Sequence, residues 1–258
     1  MAGGHKLPAT ILFEKGSETM EYLDFANHVK SNRALEILMT LIDLSPSMDD
    51  DDWKPTRKAG AIMANKELIK AKAKYHLQDK LGIIGFGGHA TLLHDPVCLR
   101  DGVRGLLKAL KNPPDGYSTN FTAALELAEG CLFGRKRKST NNFFSKMLSE
   151  ILYEVDDTTV RSTGLDRNSN RTLKRIILLT DGEHNTGPCP LKVASRLKSA
   201  GVVIDCIGIG GSPHDVEEKL LKSIASRNPN GSIRYCFIGD KHLLLKKYES
   251  LARHIRPA

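Results

Sequence analysis

Five oxygen-bearing side chains stand beside predicted strand or helix ends and could together bind a hard divalent cation. They are Asp43, Ser45, Ser47, Thr119 and Asp181. The first three hold alternate positions, so an extended or tightly turning backbone can aim their oxygens into one space. Hydroxyl and carboxylate oxygens favour Mg²⁺, Mn²⁺ or Ca²⁺ over zinc or copper, for which histidine or cysteine ligands are expected. The residue types therefore predict a metal site, with Mg²⁺ as the first choice and Mn²⁺ or Ca²⁺ as alternatives.

The charge of this set indicates what the metal would do. Two carboxylates balance a dication, and if neutral hydroxyls take the inner positions the metal stays electrophilic with one position open. An Asp or Glu side chain of a protein partner could fill that position. We therefore expect a protein–protein interaction module, not an enzyme.

The elements that must position these residues alternate between strands and helices. Predicted strands span 34–43, 80–90, 174–180, 202–209 and 232–237, with a short edge strand at 90–93, and predicted helices span 56–77, 103–111, 122–133, 190–200, 216–227 and 241–254. This order predicts an α/β fold, a Rossmann-like, doubly wound, mostly parallel sheet flanked by helices. Such sheets bind ligands beyond the carboxyl ends of their strands, where the strand order switches. The five side chains would then share one edge if the strands at 34–43 and 174–180 are neighbours.

The chain divides into a lead-in and one domain. Residues 1–33 form a polar N-terminal lead-in, and residues 34–258 form the domain. Within it, residues 134–172 are predicted to be a surface insertion, with one amphipathic helix around 143–153.

The pattern Asp43-x-Ser45-x-Ser47, followed by Thr119 and Asp181-Gly182, resembles the metal ion-dependent adhesion site (MIDAS) of von Willebrand factor A (vWA) domains. The similarity extends from about Ala34 to Ile255. It implies a Rossmann-like fold with one antiparallel edge strand. It also implies that the three hydroxyls contact the metal directly, while the two aspartates act largely through water.

The loop after the second serine departs from that family pattern. Pro46 replaces the usual small residue between the serines, and the chain continues into four aspartates, 49–52. This loop resembles the vWA-like domains of integrin β chains, in which such residues build an adjacent metal site, so Asp50 and Asp51 are candidates for a second metal. The simpler interpretation is a solvated acidic turn that stabilises the N-terminus of the next helix.

Two other functional classes are compatible with parts of the sequence. A metal-dependent hydrolase would need a general base, and His184 is near Asp181, but a lone loop histidine is more often only hydrogen-bonded. A nucleic-acid-associated vWA protein is compatible with the net charge of +8 and the basic cluster 135–138. The surplus is spread widely without interleaved aromatic residues, so nucleic acid is not the expected partner. The glycine segments 85–88 and 208–211 complete no nucleotide-binding motif.

Composition and cysteine usage predict a cytoplasmic protein with no membrane partner. No segment approaches the roughly 18 apolar residues of a membrane span, and the first residues lack the apolar core of a signal peptide. The five cysteines form no CxxC pair, which is typical of a reducing compartment.

Overall fold

The computed structural model describes residues 35–134 and 172–253. The strands are β1 (Glu36–Asp43), β2 (Lys80–Phe86), β3 (Ala90–Cys98), β4 (Leu173–Thr180), β5 (Val202–Ile209) and β6 (Tyr235–Ile238). The helices are α1 (Arg57–Tyr75), α2 (Leu99–Ala109), α3 (Phe121–Phe133), α4 (Leu191–Ser199), α5 (Glu218–Ile224) and α6 (Lys241–Arg253). The predicted lead-in, nearly all of the predicted insertion and its predicted helix lie outside the described residues. No helix of the described ranges is long and apolar enough to cross a membrane.

The strands form one sheet in the order β3-β2-β1-β4-β5-β6. All neighbours are parallel except β2 and β3, which pair antiparallel at one edge. β1 pairs directly with β4, with Ile42 opposite Leu179. The strand order therefore reverses between β1 and β4, and the predicted α/β class, the doubly wound topology and the antiparallel edge are all confirmed.

Alternation along the buried strands creates two apolar cores. In β1, Leu38 and Ile42 face the core beneath α1, α2 and α6, while Met39 and Leu41 face the core beneath α3, α4 and α5. All four side chains are at most 1% exposed. Because both faces of the sheet are covered, the central strands are apolar throughout, and their carboxyl ends are fixed relative to one another.

Several predicted elements differ in extent. The edge strand β3 continues to Cys98 and contains Pro96, which an edge strand tolerates because it needs fewer ladder hydrogen bonds. As a result α2 begins at residue 99, four residues before the predicted start. The predicted helix 216–227 is reduced to α5, because Val216 has an extended backbone before it and the backbone leaves the helical conformation at Ala225. The last strand begins at Tyr235, three residues later than predicted.

Candidate metal site

The candidate site lies at the carboxyl ends of β1 and β4. Asp43 is the last residue of β1, and Asp181 directly follows Thr180, the last residue of β4. Since these strands are parallel neighbours at the switch in strand order, both carboxylates lie at the edge where doubly wound sheets bind ligands.

Asp43 is a buried carboxylate held by hydrogen bonds on both oxygens. Its side chain is inaccessible to solvent, Oδ1 accepts a 2.8 Å bond from the Ser45 backbone N–H, and Oδ2 accepts a 2.6 Å bond from the Thr180 hydroxyl. Burial raises the pKa of Asp43 to about 6, although these hydrogen bonds act in the opposite direction. The carboxylate is thus oriented but deprived of water, an environment in which a nearby cation would favour its charged form.

The two serines meet because the chain turns sharply between them. Pro46 opens a 3₁₀ turn that ends at Asp49, and the fixed φ of proline suits that first position. The Ser47 hydroxyl donates to Oδ1 of Asp181 at 2.8 Å, and the two serine Oγ atoms are 3.1 Å apart. Pro46, a departure from the family pattern, is therefore compatible with the hydroxyl arrangement.

Thr119 reaches the same edge from the loop before α3. Its backbone N–H donates to Oδ1 of Asn185 at 2.9 Å, while the Asn185 N–H donates to the Thr119 carbonyl at 3.1 Å. The next residue, Asn120, caps α3 by accepting from the Ala123 N–H and donates its side-chain amide to the Gly88 carbonyl. Asn185, which the sequence did not single out, therefore clamps the Thr119 loop against the segment after β4.

The glycines after β2 permit this approach of the loop. A Cβ atom on Gly87 would lie 2.6 Å from the Gly116 Cα, and one on Gly116 would lie 2.9 Å from the Leu44 carbonyl oxygen. Only glycine allows backbones to pass this closely. The glycine segment that completes no nucleotide motif thus has a packing role: it lets the Thr119 loop approach β1.

Gly182 marks the space that the hydroxyls share. A Cβ atom added to Gly182 would lie 3.6 Å from Thr119 Oγ1 and 3.7 Å from Ser47 Oγ. Both hydroxyl oxygens are therefore within 4 Å of one point above Gly182. With Ser45 bonded to Ser47, and Asp181 bonded to Ser47, the oxygens of these four residues border a common cradle. Asp43 supports it from below through Ser45 and Thr180. All of these donors are oxygens, so the residues present fit a hard dication.

Arg57 is the functional candidate that sequence reasoning missed. It is the first residue of α1, and its guanidinium contacts two of the acidic side chains at the site. Nη1 donates to Oδ2 of Asp181 at 3.0 Å, while Nε and Nη2 donate to Asp52 at 2.9 and 2.7 Å. A basic residue in the first turn of a helix opposes the helix dipole. That unfavourable position, shortly after four aspartates, was the signal that could have identified it.

Burial also raises the pKa of Asp181, whose side chain has no exposure to solvent. Hydrogen bonds from Ser47 and Arg57, and the positive charge of Arg57, oppose the shift. Both aspartates of the site are therefore partly desolvated, as expected for carboxylates that a cation would stabilise.

The two candidates for a second metal site lie further out on the acidic loop. Asp50 lines the rim of the depression, 3.6 Å from Nη1 of Arg57. Asp51 is exposed and pairs with Lys54 at 2.9 Å, a hydrogen bond that lowers the pKa of Asp51. Across residues 35–134 and 172–253, no three His, Cys, Asp or Glu side chains are grouped to hold a metal. The two carboxylates contact different cations, and a second metal there stays a prediction.

His184 has hydrogen bonds at both ring nitrogens. Its Nδ1 accepts from the Phe121 N–H at 3.2 Å, and its Nε2 lies 3.0 Å from the Pro188 carbonyl, to which it must donate. The ring also packs on Phe121, with centroids 5.4 Å apart. The imidazole is thus neutral with its proton on Nε2, and it connects the N-terminus of α3 to the loop after β4. This is the hydrogen-bonded interpretation that the sequence favoured.

An open depression of about 500 Å³ lies over the cradle. Besides every predicted ligand except Asp43, its lining includes Tyr117, Glu183, Asn185 and Asp215. Tyr117 is 91% exposed, so an aromatic ring projects from the rim near Thr119. The depression is wide and polar.

Known structures share this fold at low sequence identity. Proximal thread matrix protein 1 from the mussel byssus is 16% identical, with a TM-score of 0.59 over 85% of this chain and 48% of that chain. A structure of the same protein described as having a zinc-occupied MIDAS motif is 18% identical, with a TM-score of 0.58 over 86% and 48% of the two chains. A von Willebrand factor type A structure from Catenulispora acidiphila is 18% identical, with a TM-score of 0.58 over 85% and 42%.

This chain spans less than half the length of those three structures, and such identities show the fold alone. No curated protein matches the chain. The model of one family, described as the von Willebrand factor type A domain, matches residues 38–184. That match covers more than half of the sequence and includes all five predicted ligands. The chain therefore belongs to the von Willebrand factor type A domain family.

Proposed function

We propose that this chain is a protein–protein interaction module that holds one divalent cation, Mg²⁺ by preference, and uses it to bind an Asp or Glu side chain of a partner. The observation that carries the proposal is the cradle above Gly182, where the hydroxyls of Ser47 and Thr119 border one space beside Asp181. The zinc-occupied MIDAS motif named for the mussel protein supports a divalent metal in this family.

The oxygen donors support Mg²⁺, with Mn²⁺ and Ca²⁺ as alternatives, because hard cations prefer oxygen ligands. In this proposal Ser45, Ser47 and Thr119 hold the metal directly, and Asp43 and Asp181 act through water. When bound, the metal supplies an electrophilic position that is open to a carboxylate. The chain's own residues orient the ligands and exclude bulk water beneath them, since Asp43 and Asp181 are at most 2% exposed.

The rim supports a protein partner more than a reaction. Tyr117 offers an exposed aromatic surface beside the proposed metal, and aromatic residues are enriched among interface residues that dominate binding energy. His184, the candidate base of a metal-dependent hydrolase, has both ring nitrogens engaged. The proposal therefore includes no catalytic step. It places the interaction in the cytoplasm, supported by five cysteines that are all free thiols.

Metal binding is tested first by calorimetry with MnCl₂ and MgCl₂. The wild type should bind one ion, and Asp43→Ala should bind none. Asp95→Ala is the matched control, because it removes an equal charge from an exposed position on β3 and should bind as the wild type does. Equal heats from the wild type and Asp43→Ala would contradict the proposed site.

Carboxylate recognition is tested separately with two short synthetic peptides that differ only in one residue, Glu or Gln. NMR shifts of residues around Thr119 should respond to the Glu peptide in the presence of Mg²⁺, and to neither peptide after EDTA. A response to both peptides, or one that survives EDTA, would remove the acidic partner from the proposal.

Nucleic acid is the second candidate, and the distribution of charge on the helices favours it. The helices α1, α2 and α6 over one sheet face carry thirteen basic and three acidic residues, against five and three on α3, α4 and α5. Along α2, Arg100, Arg104 and Lys108 are exposed at one-turn spacing. Binding of a labelled RNA or duplex DNA that weakens with salt, ignores EDTA and is lost when these three become Gln would favour this candidate.

A further inference from the structure

Arg57 is surrounded by more carboxylates than one guanidinium needs. Besides its hydrogen bonds to Asp181 and Asp52, its Nη2 is 3.6 Å from Asp215 and its Nη1 is 3.6 Å from Asp50. Its side chain is only 9% exposed, although it lines the depression over the cradle. A buried cation thus lies beside the position at which a second, divalent cation is proposed to bind.

We propose that Arg57 is an intramolecular counter-cation of the metal site, which holds Asp181 in the metal-free protein and weakens the binding of the divalent ion. This inference rests on the proposed function, since it concerns the affinity of the same site for its metal. It assigns a role to a residue outside the ligand set.

The two oxygens of Asp181 already have separate partners. Oδ1 accepts from the Ser47 hydroxyl and Oδ2 accepts from Nη1 of Arg57, so the carboxylate is neutralised and hydrogen-bonded on both sides. A dication in the cradle either shares this carboxylate with the guanidinium or draws it away. In both cases the metal meets a like charge in a region where burial limits screening by solvent.

Asp52 allows the Arg57 guanidinium to give up its bond to Asp181 and still remain at the site. It forms a two-bond fork with Nε and Nη2, which is independent of the bond to Asp181. Arg57 can therefore lose its bond to Asp181 while remaining paired. The metal-free and metal-loaded forms can therefore share one backbone conformation. Asp181 would pair with the Arg57 guanidinium in the first form and with the divalent ion in the second.

The arrangement makes the site stable without metal and sensitive to metal concentration. In the metal-free protein the guanidinium offsets the repulsion among the carboxylates that it contacts, which would otherwise oppose folding; these are Asp50, Asp52, Asp181 and Asp215. Because Arg57 already compensates the carboxylate charges before any metal binds, metal binding releases less free energy and the metal affinity is correspondingly lower.

The test measures MnCl₂ affinity by calorimetry in the full chain and compares four variants with the wild type. Arg57→Gln removes the charge and should bind Mn²⁺ at least about tenfold more tightly. Arg57→Lys keeps the charge and should stay within about threefold of the wild type. Arg100→Gln is the matched control, because it removes an equal charge from an exposed position on α2 and should leave the affinity unchanged.

The fourth variant should change the Mn²⁺ affinity in the opposite direction. Asp52→Asn loosens the fork, which leaves Arg57 freer to pair with Asp181, so Mn²⁺ should bind more weakly than to the wild type. This variant keeps the inference testable if Arg57→Gln does not fold. Thermal unfolding in EDTA supplies a readout without metal, in which Arg57→Gln should melt at a lower temperature than the wild type. Adding Mn²⁺ should then raise the melting temperature of Arg57→Gln by more than it raises that of the wild type.

The outcomes separate the two proposals. If the wild type binds Mn²⁺ but folded Arg57→Gln binds no more tightly, or Asp52→Asn binds no more weakly, the role of Arg57 is wrong while the metal site stands. If the wild type and every variant bind no metal at all, the proposed function itself is overturned, and this inference with it.

Discussion

The hydroxyl of Thr180 donates a 2.6 Å hydrogen bond to Oδ2 of Asp43, joining the last residues of two neighbouring strands. Both side chains are inaccessible to solvent. The bond fixes the carboxylate directly below the Ser45–Ser47 turn, but a neutral hydroxyl compensates its charge only partly. Asp43 is therefore a destabilised group in the metal-free protein, and two predictions follow from its pKa of about 6.

Replacing Asp43 with Asn should stabilise the metal-free protein and abolish its response to metal. The raised pKa reflects the cost of keeping a charge out of water, so removing that charge should increase the free energy of unfolding at pH 8 by about 2 kcal/mol. Urea denaturation in EDTA and in MnCl₂ measures both effects. Asp95→Asn, at an exposed position on β3, should change neither, and a less stable Asp43→Asn would contradict the interpretation.

The stability of the metal-free protein should fall as pH rises from about 4 to about 6. The folded-state pKa of Asp43 lies above its ordinary value of 3.8, so the folded protein holds more protons in this window. The contribution is complete below the unfolded pKa and is lost as pH rises through the folded one. Urea midpoints of the wild type in EDTA should show this decline, and Asp43→Asn should lack this component.

The five candidate ligands could be identified from the sequence because each belongs to a local motif. Asp43, Ser45 and Ser47 lie within five residues, and Asp181 and Thr119 each adjoin a strongly patterned element. The sequence places these residues at one edge on the condition that the strands bearing Asp43 and Asp181 are neighbours, and the parallel pairing of those strands meets that condition.

The remaining parts of the site depend on contacts between distant segments. Arg57 reaches Asp181 across the sheet edge, and Asn185 clamps Thr119 from another loop. No periodicity encodes such pairs. The extent of β3 was likewise underestimated, because a proline within a run normally argues against a strand and is tolerated only at an edge.

Replacing Thr119 with Val should weaken metal binding without unfolding the protein. Valine keeps the branched shape of this buried side chain but lacks the hydroxyl that faces the cradle. We expect Mn²⁺ affinity to fall at least about tenfold and the free energy of unfolding to change by about 1 kcal/mol or less. Ser118→Ala, which removes the neighbouring hydroxyl, is the control. An equal loss of Mn²⁺ affinity in both variants would show that the Thr119 hydroxyl does not bind the metal.

Replacing Gly182 with Ala should fill the cradle. The added methyl would lie at ordinary contact distance from Thr119 Oγ1 and Ser47 Oγ, so the fold should tolerate it, yet it occupies the space that those oxygens share. Calorimetry should show Mn²⁺ affinity reduced at least about tenfold. Gly239→Ala, whose methyl would have its nearest neighbour at 3.6 Å elsewhere in the fold, should bind normally. Unchanged binding by Gly182→Ala would show that the ion does not lie above Gly182.

Replacing Lys72 with Met should destabilise the fold and leave the metal site intact. The Lys72 ammonium is buried between Glu36 and Asp79, and all three side chains are inaccessible to solvent. Removing it leaves two carboxylates buried without that cation, which should cost about 3 kcal/mol. The exposed Lys70→Met, which breaks only a surface pair with Glu67, should cost about 0.5 kcal/mol or less.

Metal affinity should nevertheless be equal in the two lysine variants, measured by calorimetry at a temperature where both are folded. Glu36 is the first residue of β1 and Asp43 the last, so the ion-pair network and the cradle are separated by about 23 Å of extended strand. At that distance the lost charge is screened by solvent and salt. A weaker Mn²⁺ affinity in Lys72→Met alone would mean that the network at the amino ends of the strands controls the geometry at their carboxyl ends.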